Sequence, residues 1–241
     1  TGMAVEVGFA VPAGSLAFWA ERLGAMGVAI QGSEKRFGET TLLLQDPHGL
    51  ELSLTEISEP KDFAPWLHGP VPERHQIRGF HGVRLWERDL AVTARFLGEA
   101  LGLEAFGEET GWHRFGADGG GTGKWLEVRE LPGERSGSWG IGGVHHVAFR
   151  VADEGEQLVV QHQVQAAGSQ PTPVIDRFWF HSVYFKEPGG VLFEVATDEP
   201  GFTVDEDLEH LGERLILPPW YEPQRKEIEA VLPPLRMAPL Q

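Results

Sequence analysis

Three stretches of the chain repeat one hydrophobic pattern: a short alternating run, an amphipathic run at helical spacing, then further alternating runs closed by a turn. In residues 1–57, positions 7–11 alternate as a strand. Ser15 stands where an N-cap would, and Leu16, Trp19, Leu23 and Met26 recur on one helical face to about Gly27. Two strands are expected next, near 40–45 and 50–56. In residues 78–131, 80–86 reads as a strand. Asp89 can cap a helix through Leu101 whose buried face holds Leu90, Ala94, Leu97 and Leu101. A glycine-rich hairpin turn at 116–123 then leads into a strand over 124–131. In residues 142–197, a strand over 144–151 precedes a helix over 153–167. A long strand near 178–185, a turn and a strand over 191–196 complete the unit.

The repetition extends to the turns. Asp46-Pro-His-Gly-Leu-Glu-Leu-Ser-Leu54 resembles Glu187-Pro-Gly-Gly-Val-Leu-Phe-Glu-Val195, an acidic-Pro-x-Gly turn feeding a strand in each case. Residues 58–77 hold four prolines and read as a linker. Residues 198–241 read as a tail with a short helix near 222–231, wrapped over the modules. The expected fold class is α+β: repeated βαβββ modules forming curved mixed sheets, two of which side by side make a cup.

Composition narrows the function. The net charge of −16 argues against a nucleic-acid or anionic-membrane partner, which needs a basic footprint. The absence of cysteine excludes disulfides, thiolate metal sites and thiol nucleophiles. No apolar run approaches the ~18–20 residues of a membrane span, and no secretory signal opens the chain, so the expected address is cytoplasmic. The glycine-rich 116–123 segment lacks the strand-then-helix setting of a phosphate loop, and its Gly123-Lys124 is followed by Trp125. No serine sits in a nucleophile elbow.

The chemistry-bearing residues gather in the third module. His145 and His146 open one strand, and Glu194 lies inside the apolar run Val191-Leu-Phe-Glu-Val-Ala196, where a lone charge is costly unless paired or metal-bound. Alternation puts His146, Ala148 and Arg150 on one strand face, and Leu192, Glu194 and Ala196 on one face of another. Imidazole nitrogen with carboxylate oxygen suits Fe(II), Mn(II) or Zn(II). Two ordinary strand histidines and a solvated strand-end glutamate are the competing reading. His181 is expected to pack, on the face opposite Tyr184. His48, His68, His75, His113, His162 and His210 fall in turn, linker, loop, helix or tail and read as solvated.

Gly143-Val-His-His-Val-Ala-Phe-Arg-Val151, followed by Phe185-Lys-Glu-Pro-Gly-Gly-Val-Leu-Phe-Glu-Val-Ala-Thr-Asp198, resembles the last module of ring-cleaving dioxygenases in the vicinal-oxygen-chelate (glyoxalase/bleomycin-resistance) superfamily. The hydroquinone, or para-diol, dioxygenases are the subgroup it most resembles. Ile77-Arg-Gly-Phe-His-Gly-Val83 and the tail motif Leu217-Pro-Pro-Trp220 are also similar to that subgroup. The resemblance implies that His146 and Glu194 are metal ligands, with Fe(II) the expected metal and Mn(II) the other candidate. It places His145, Arg177 and Tyr184 beside them, to handle protons and the charge of a phenolate substrate. A surface ion pair for Arg177 and a core position for Tyr184 are the alternatives. Implied partners are a small aromatic diol and dioxygen, with a homodimer as a further possibility. A glyoxalase-type lyase or isomerase, or a drug-binding protein without catalysis, would use the same fold.

The resemblance also implies an upstream module carrying a further histidine ligand, and this sequence begins where the family's second module begins. Aligned on the third module, the first has Glu6 at the His146 position and Ser53 at the Glu194 position. The second has Gly82 and Glu127. His81 aligns with His145, one residue out of register. Only the third module offers the His-plus-Glu pair. The expectation is therefore that a module is missing, and that the chain could be an incomplete, inactive fragment.

Overall fold

The structure is a computed structural model and describes residues 1–59 and 61–233. Among the described residues, twelve strands and four α-helices follow one another as β1 (Met3–Pro12), α1 (Leu16–Ala25), β2 (Ile30–Arg36), β3 (Glu39–Gln45), β4 (Glu51–Ile57), β5 (Phe80–Glu87), α2 (Leu90–Leu101), β6 (Glu104–Glu109), β7 (Trp112–Gly116), β8 (Trp125–Glu130), β9 (Val147–Val151), α3 (Glu154–Ala166), β10 (Ile175–Asp176), β11 (His181–Lys186), β12 (Leu192–Thr197) and α4 (Arg225–Val231). Each of the first three helices follows the first strand of a four-strand unit. In each unit that first strand pairs in parallel with the last: β1 with β4, β5 with β8, and β9 with β12. A parallel partner cannot be reached by a tight turn, so the helix serves as the crossover.

Two units fuse through their first strands. β1 and β5 run antiparallel, giving one eight-stranded sheet in the order β2-β3-β4-β1-β5-β8-β7-β6. The third unit forms a separate sheet in the order β10-β11-β12-β9, with β9 at an edge. Its core-facing residues Val183, Phe185, Phe193 and Val195 pack in one cluster with Phe96, Leu97 and Ala100 of α2 and with Leu85, Leu126 and Val128 of the larger sheet. Val11, Trp19, Leu42, Leu44 and Leu54 make a second core under α1. No helix among the described residues is long and apolar enough to cross a membrane.

Local signals account for most of these elements. Asp89 accepts from Val92 N at 3.1 Å, the N-cap expected for α2, and Asp153 caps α3 in the same way, accepting from Glu156 N at 2.9 Å. Several details differ from the sequence expectation. β2, β6, β7 and the two-residue β10 are additional strands; nearly every residue of β2 and β6 is exposed, so neither shows an apolar rhythm, and β7 is a short strand running into the glycine-rich turn. Ser15 occupies the N-cap position of α1 but makes no side-chain hydrogen bond to the helix. Met26 is the exposed C-cap of α1 and not part of its buried face. β9 begins at Val147, so His145 and His146 lie in its approach. The long strand begins at His181, and residues 177–180 form the turn from β10.

Candidate metal centre

Strand register explains why His146 and Glu194 meet. Glu194 pairs with Ala148 of β9 on one side and with Tyr184 of β11 on the other. Odd-numbered neighbours Phe193, Val195, Val183 and Phe185 face the core. The alternation leaves Ser182, Tyr184 and Glu194 on the opposite face. His146, just before the strand, reaches across to Glu194: Nε2 stands 2.8 Å from Oε2.

The other residues singled out in the sequence surround this pair. His145 flanks His146, with the two Nδ1 atoms 2.9 Å apart, and its ring tilts against Trp139 at 4.9 Å between centroids. Tyr184 meets His146 edge-on at 5.7 Å. The Arg177 guanidinium lies over the Tyr184 ring at 5.3 Å, presented by the turn after β10. Five residues from four places in the sequence thus lie on one face. His181 is elsewhere: its Nδ1 stands 3.0 Å from Glu154 Oε1, at the start of α3.

Glu194 is buried, and its second oxygen is also occupied. Oε1 accepts from the Ser182 hydroxyl at 2.5 Å. Behind the sheet, fully buried Gln157 of α3 donates its side-chain amide to both His181 O (2.9 Å) and Val195 O (2.8 Å), tying β11 to β12 beneath the glutamate. Neither Ser182 nor Gln157 carries a sequence signature. Ser182 could have been found only by counting two residues back from Tyr184 on the same strand face.

The donor set accepts a metal in part. Atoms bound cis to one ion at about 2.1 Å lie about 3 Å apart, so the 2.8 Å between Nε2 and Oε2 suits a shared cation. Two protein ligands are fewer than the usual three. Among the described residues no group of three or more His, Asp or Glu side chains could hold an ion.

The same register positions in the larger sheet carry a different chemistry. Ser53 pairs with Gly8 and Glu127 with Arg84, just as Glu194 pairs with Ala148, so Glu6 and Gly82 occupy the place of His146. Here Glu127 is spent on arginines. Arg84 Nε donates to its Oε2 at 2.6 Å, and Arg114 donates to Oε1 from NH2 at 2.6 Å and from Nε at 2.9 Å. Arg36 pairs with Glu6 at 2.5 Å, and Arg114 reaches Glu39 at 3.2 Å. Burial raises the Glu39 carboxyl, but the hydrogen bond from His81 and the charges of His81 and Arg114 outweigh it and hold the group below its ordinary value. Guanidinium groups therefore neutralise the carboxylates in this cup. A cavity of about 730 Å³ opens at its mouth, lined by Arg36, Arg84, Trp86, Trp112 and Arg129. The donors, and not the larger cavity, mark the metal candidate.

A tandem βαβββ fold with a histidine–carboxylate pair on the face of its third unit's sheet defines a vicinal-oxygen-chelate protein, and comparison with known proteins agrees. Residues 79–195 match the Glyoxalase/Bleomycin resistance protein/Dioxygenase superfamily. The chain is 40% identical over 232 residues to the Bacillus subtilis (strain 168) protein named "Putative ring-cleaving dioxygenase MhqO", covering 96% of this chain and 73% of that protein. It is 34% identical over 236 residues to the "Chlorohydroquinone/hydroquinone 1,2-dioxygenase" of Sphingobium indicum, covering 94% of this chain and 72% of the relative. A crystal structure described as a putative dioxygenase from Bacillus subtilis superposes with a TM-score of 0.91 at 39% identity, over 98% of this chain and 74% of that one. The chain belongs to the glyoxalase/bleomycin resistance/dioxygenase superfamily.

Proposed function

We propose that the chain carries the metal-holding face of a ring-cleaving dioxygenase acting on an aromatic diol of the hydroquinone class. The observation that carries this reading is the apposition of His146 Nε2 and Glu194 Oε2 at 2.8 Å, with His145, Tyr184 and Arg177 grouped around them. The names of the relatives favour ring cleavage over the lyase and drug-binding alternatives. His146 and Glu194 would hold the metal, Fe(II) foremost and Mn(II) second, with a third ligand from outside the pair. The bound ion supplies the place where diol and dioxygen meet and through which electrons pass between them.

The chain's own groups then have separable tasks. To keep a lone pair on Nε2 for a ligand bond, His146 must carry its proton on Nδ1 and donate it to His145 Nδ1. His145 is thereby left with its Nε2 proton facing outward as a hydrogen-bond donor. Arg177 supplies a fixed positive charge for a phenolate oxygen. The Tyr184 hydroxyl, on the same face, can hold or pass the proton that the diol releases. Both atoms of dioxygen end in the ring-opened product, so the reaction needs no external reductant. We read the substrate as a small aromatic diol and the setting as cytoplasmic.

An anaerobic Fe(II) titration, with Glu194→Ala as control and followed by oxygen uptake on hydroquinones, tests the proposal. One ion bound per chain, lost in the variant, together with diol-dependent oxygen consumption is the expected result. Metal binding that survives Glu194→Ala would remove Glu194 from the ligand set.

A further inference from the structure

The two cups contain an internal comparison. Glu127 and Glu194 occupy equivalent positions, and both are buried. Each oxygen of Glu127 is held by a charged guanidinium, which leaves nothing for a cation. Glu194 differs in its partners: Oε1 is held by a neutral hydroxyl, and Oε2 faces the His146 imidazole at 2.8 Å instead of a guanidinium. Ser182 is fully buried, so no water competes for its hydroxyl, and the Gln157 amide fixes the two strands that carry donor and acceptor. A neutral hydroxyl satisfies the buried oxygen without adding a positive charge that would repel a metal. In the first two units the position of Ser182 is taken by Thr41, whose hydroxyl bonds Thr55, and by Trp112, so neither repeats the arrangement.

We propose that Ser182 is a positioning residue that pins Oε1 of Glu194, so that the carboxylate offers a metal one oxygen, Oε2, and not two. A carboxylate free to rotate can chelate through both oxygens and fill a coordination position that substrate or dioxygen requires. The inference rests on the proposed metal site and adds the means by which that site stays open. Groups that orient a metal's ligands typically change metal affinity about 10–100-fold when removed.

Co(II) titration of the full chain tests this without turnover, because the visible absorption of Co(II) weakens as its coordination number rises. Wild type should bind one Co(II), and Glu194→Ala should not. Ser182→Ala should show a weaker visible band, since the freed carboxylate can add its second oxygen, and separately an affinity changed by about tenfold or more, since the carboxylate is no longer pre-oriented. Ser182→Cys, of similar size and a poorer donor, should fall between, and it carries the test if the alanine variant does not fold. An unchanged band in both variants overturns the proposal, even if affinity drops, because loosened packing alone would explain that drop. Wild type that fails to bind, or binding that survives Glu194→Ala, overturns the metal reading and the role of Ser182 with it.

Discussion

Glu87, the last residue of β5, and Glu187, which follows β11, meet side by side in the interior between the second and third units, and both are buried. Glu187 is the better solvated by protein: its oxygens accept from Thr93 Oγ1 and Val191 N, each at 3.0 Å. Neither Glu87 oxygen has a well-formed donor. The two carboxyl groups can form a hydrogen bond only if one keeps a proton, and the surroundings assign it to Glu87. Burial, and then the negative charge of Glu187 beside it, raise Glu87 to about 8, opposed by the positive Thr1 amino group.

That pair makes stability depend on pH. The folded chain holds a proton to about pH 8 that the unfolded chain releases near 4.5. The contribution is complete below about 4.5 and is lost as pH rises through about 8. Urea midpoints should fall between pH 5 and 8.5 by an amount equivalent to a few kcal/mol. Glu87→Gln, which keeps a neutral donor, should flatten that part of the profile. Parallel profiles for variant and wild type would show that Glu87 ionises freely in the folded chain.

The turn that brings Glu187 to this place has its own requirement. A Cβ on Gly189 would overlap Glu87 Oε2 and lie 2.8 Å from Glu187 Oε1. Gly189→Ala should therefore cost about 1–3 kcal/mol through overpacking, measured by chemical denaturation. A neutral effect would mean that the carboxyl pair can move apart without loss.

Much of this architecture is legible in the sequence because it repeats. The shared acidic-Pro-x-Gly turns align the units, and the alignment of Glu6, Gly82 and His146, and of Ser53, Glu127 and Glu194, agrees with the strand register. Asp89 announces its helix because a cap is a local event. β2 and β6 are silent because strands exposed nearly throughout need no apolar alternation. The Glu87–Glu187 contact is silent for another reason. It joins residues 100 positions apart, and no spacing rule links the acid of a turn to the last residue of a strand in another unit. His145, Arg177 and Tyr184 are assigned through family resemblance, since no spacing rule links a turn arginine to a strand tyrosine.

In the first cup, Glu127 should be structural and not metal-binding. Removing its side chain leaves the guanidinium groups of Arg84 and Arg114 buried without their shared counter-charge. Glu127→Ala should destabilise the chain by about 3–5 kcal/mol. Co(II) stoichiometry should be unchanged wherever the variant is folded. Loss of the metal with stability intact would reverse the assignment of the two cups.

Tyr184 separates proton handling from metal holding. It stands opposite Glu194 in register and meets the His146 ring edge-on, under the Arg177 guanidinium. Tyr184→Phe preserves the ring, its packing and its contact with Arg177, and removes only the hydroxyl. If that hydroxyl exchanges the substrate proton, kcat should fall by about 10²-fold or more while metal content and folding stability stay near wild type. Arg177→Met in the same assay should act differently. It removes a charge that assists phenolate binding, so KM for the diol should rise along with any loss in kcat. A Tyr184→Phe enzyme with wild-type turnover would return Tyr184 to the role of a ring that orients His146. The task of moving the proton would then pass to His145, whose Nε2 is the remaining proton-bearing group beside His146.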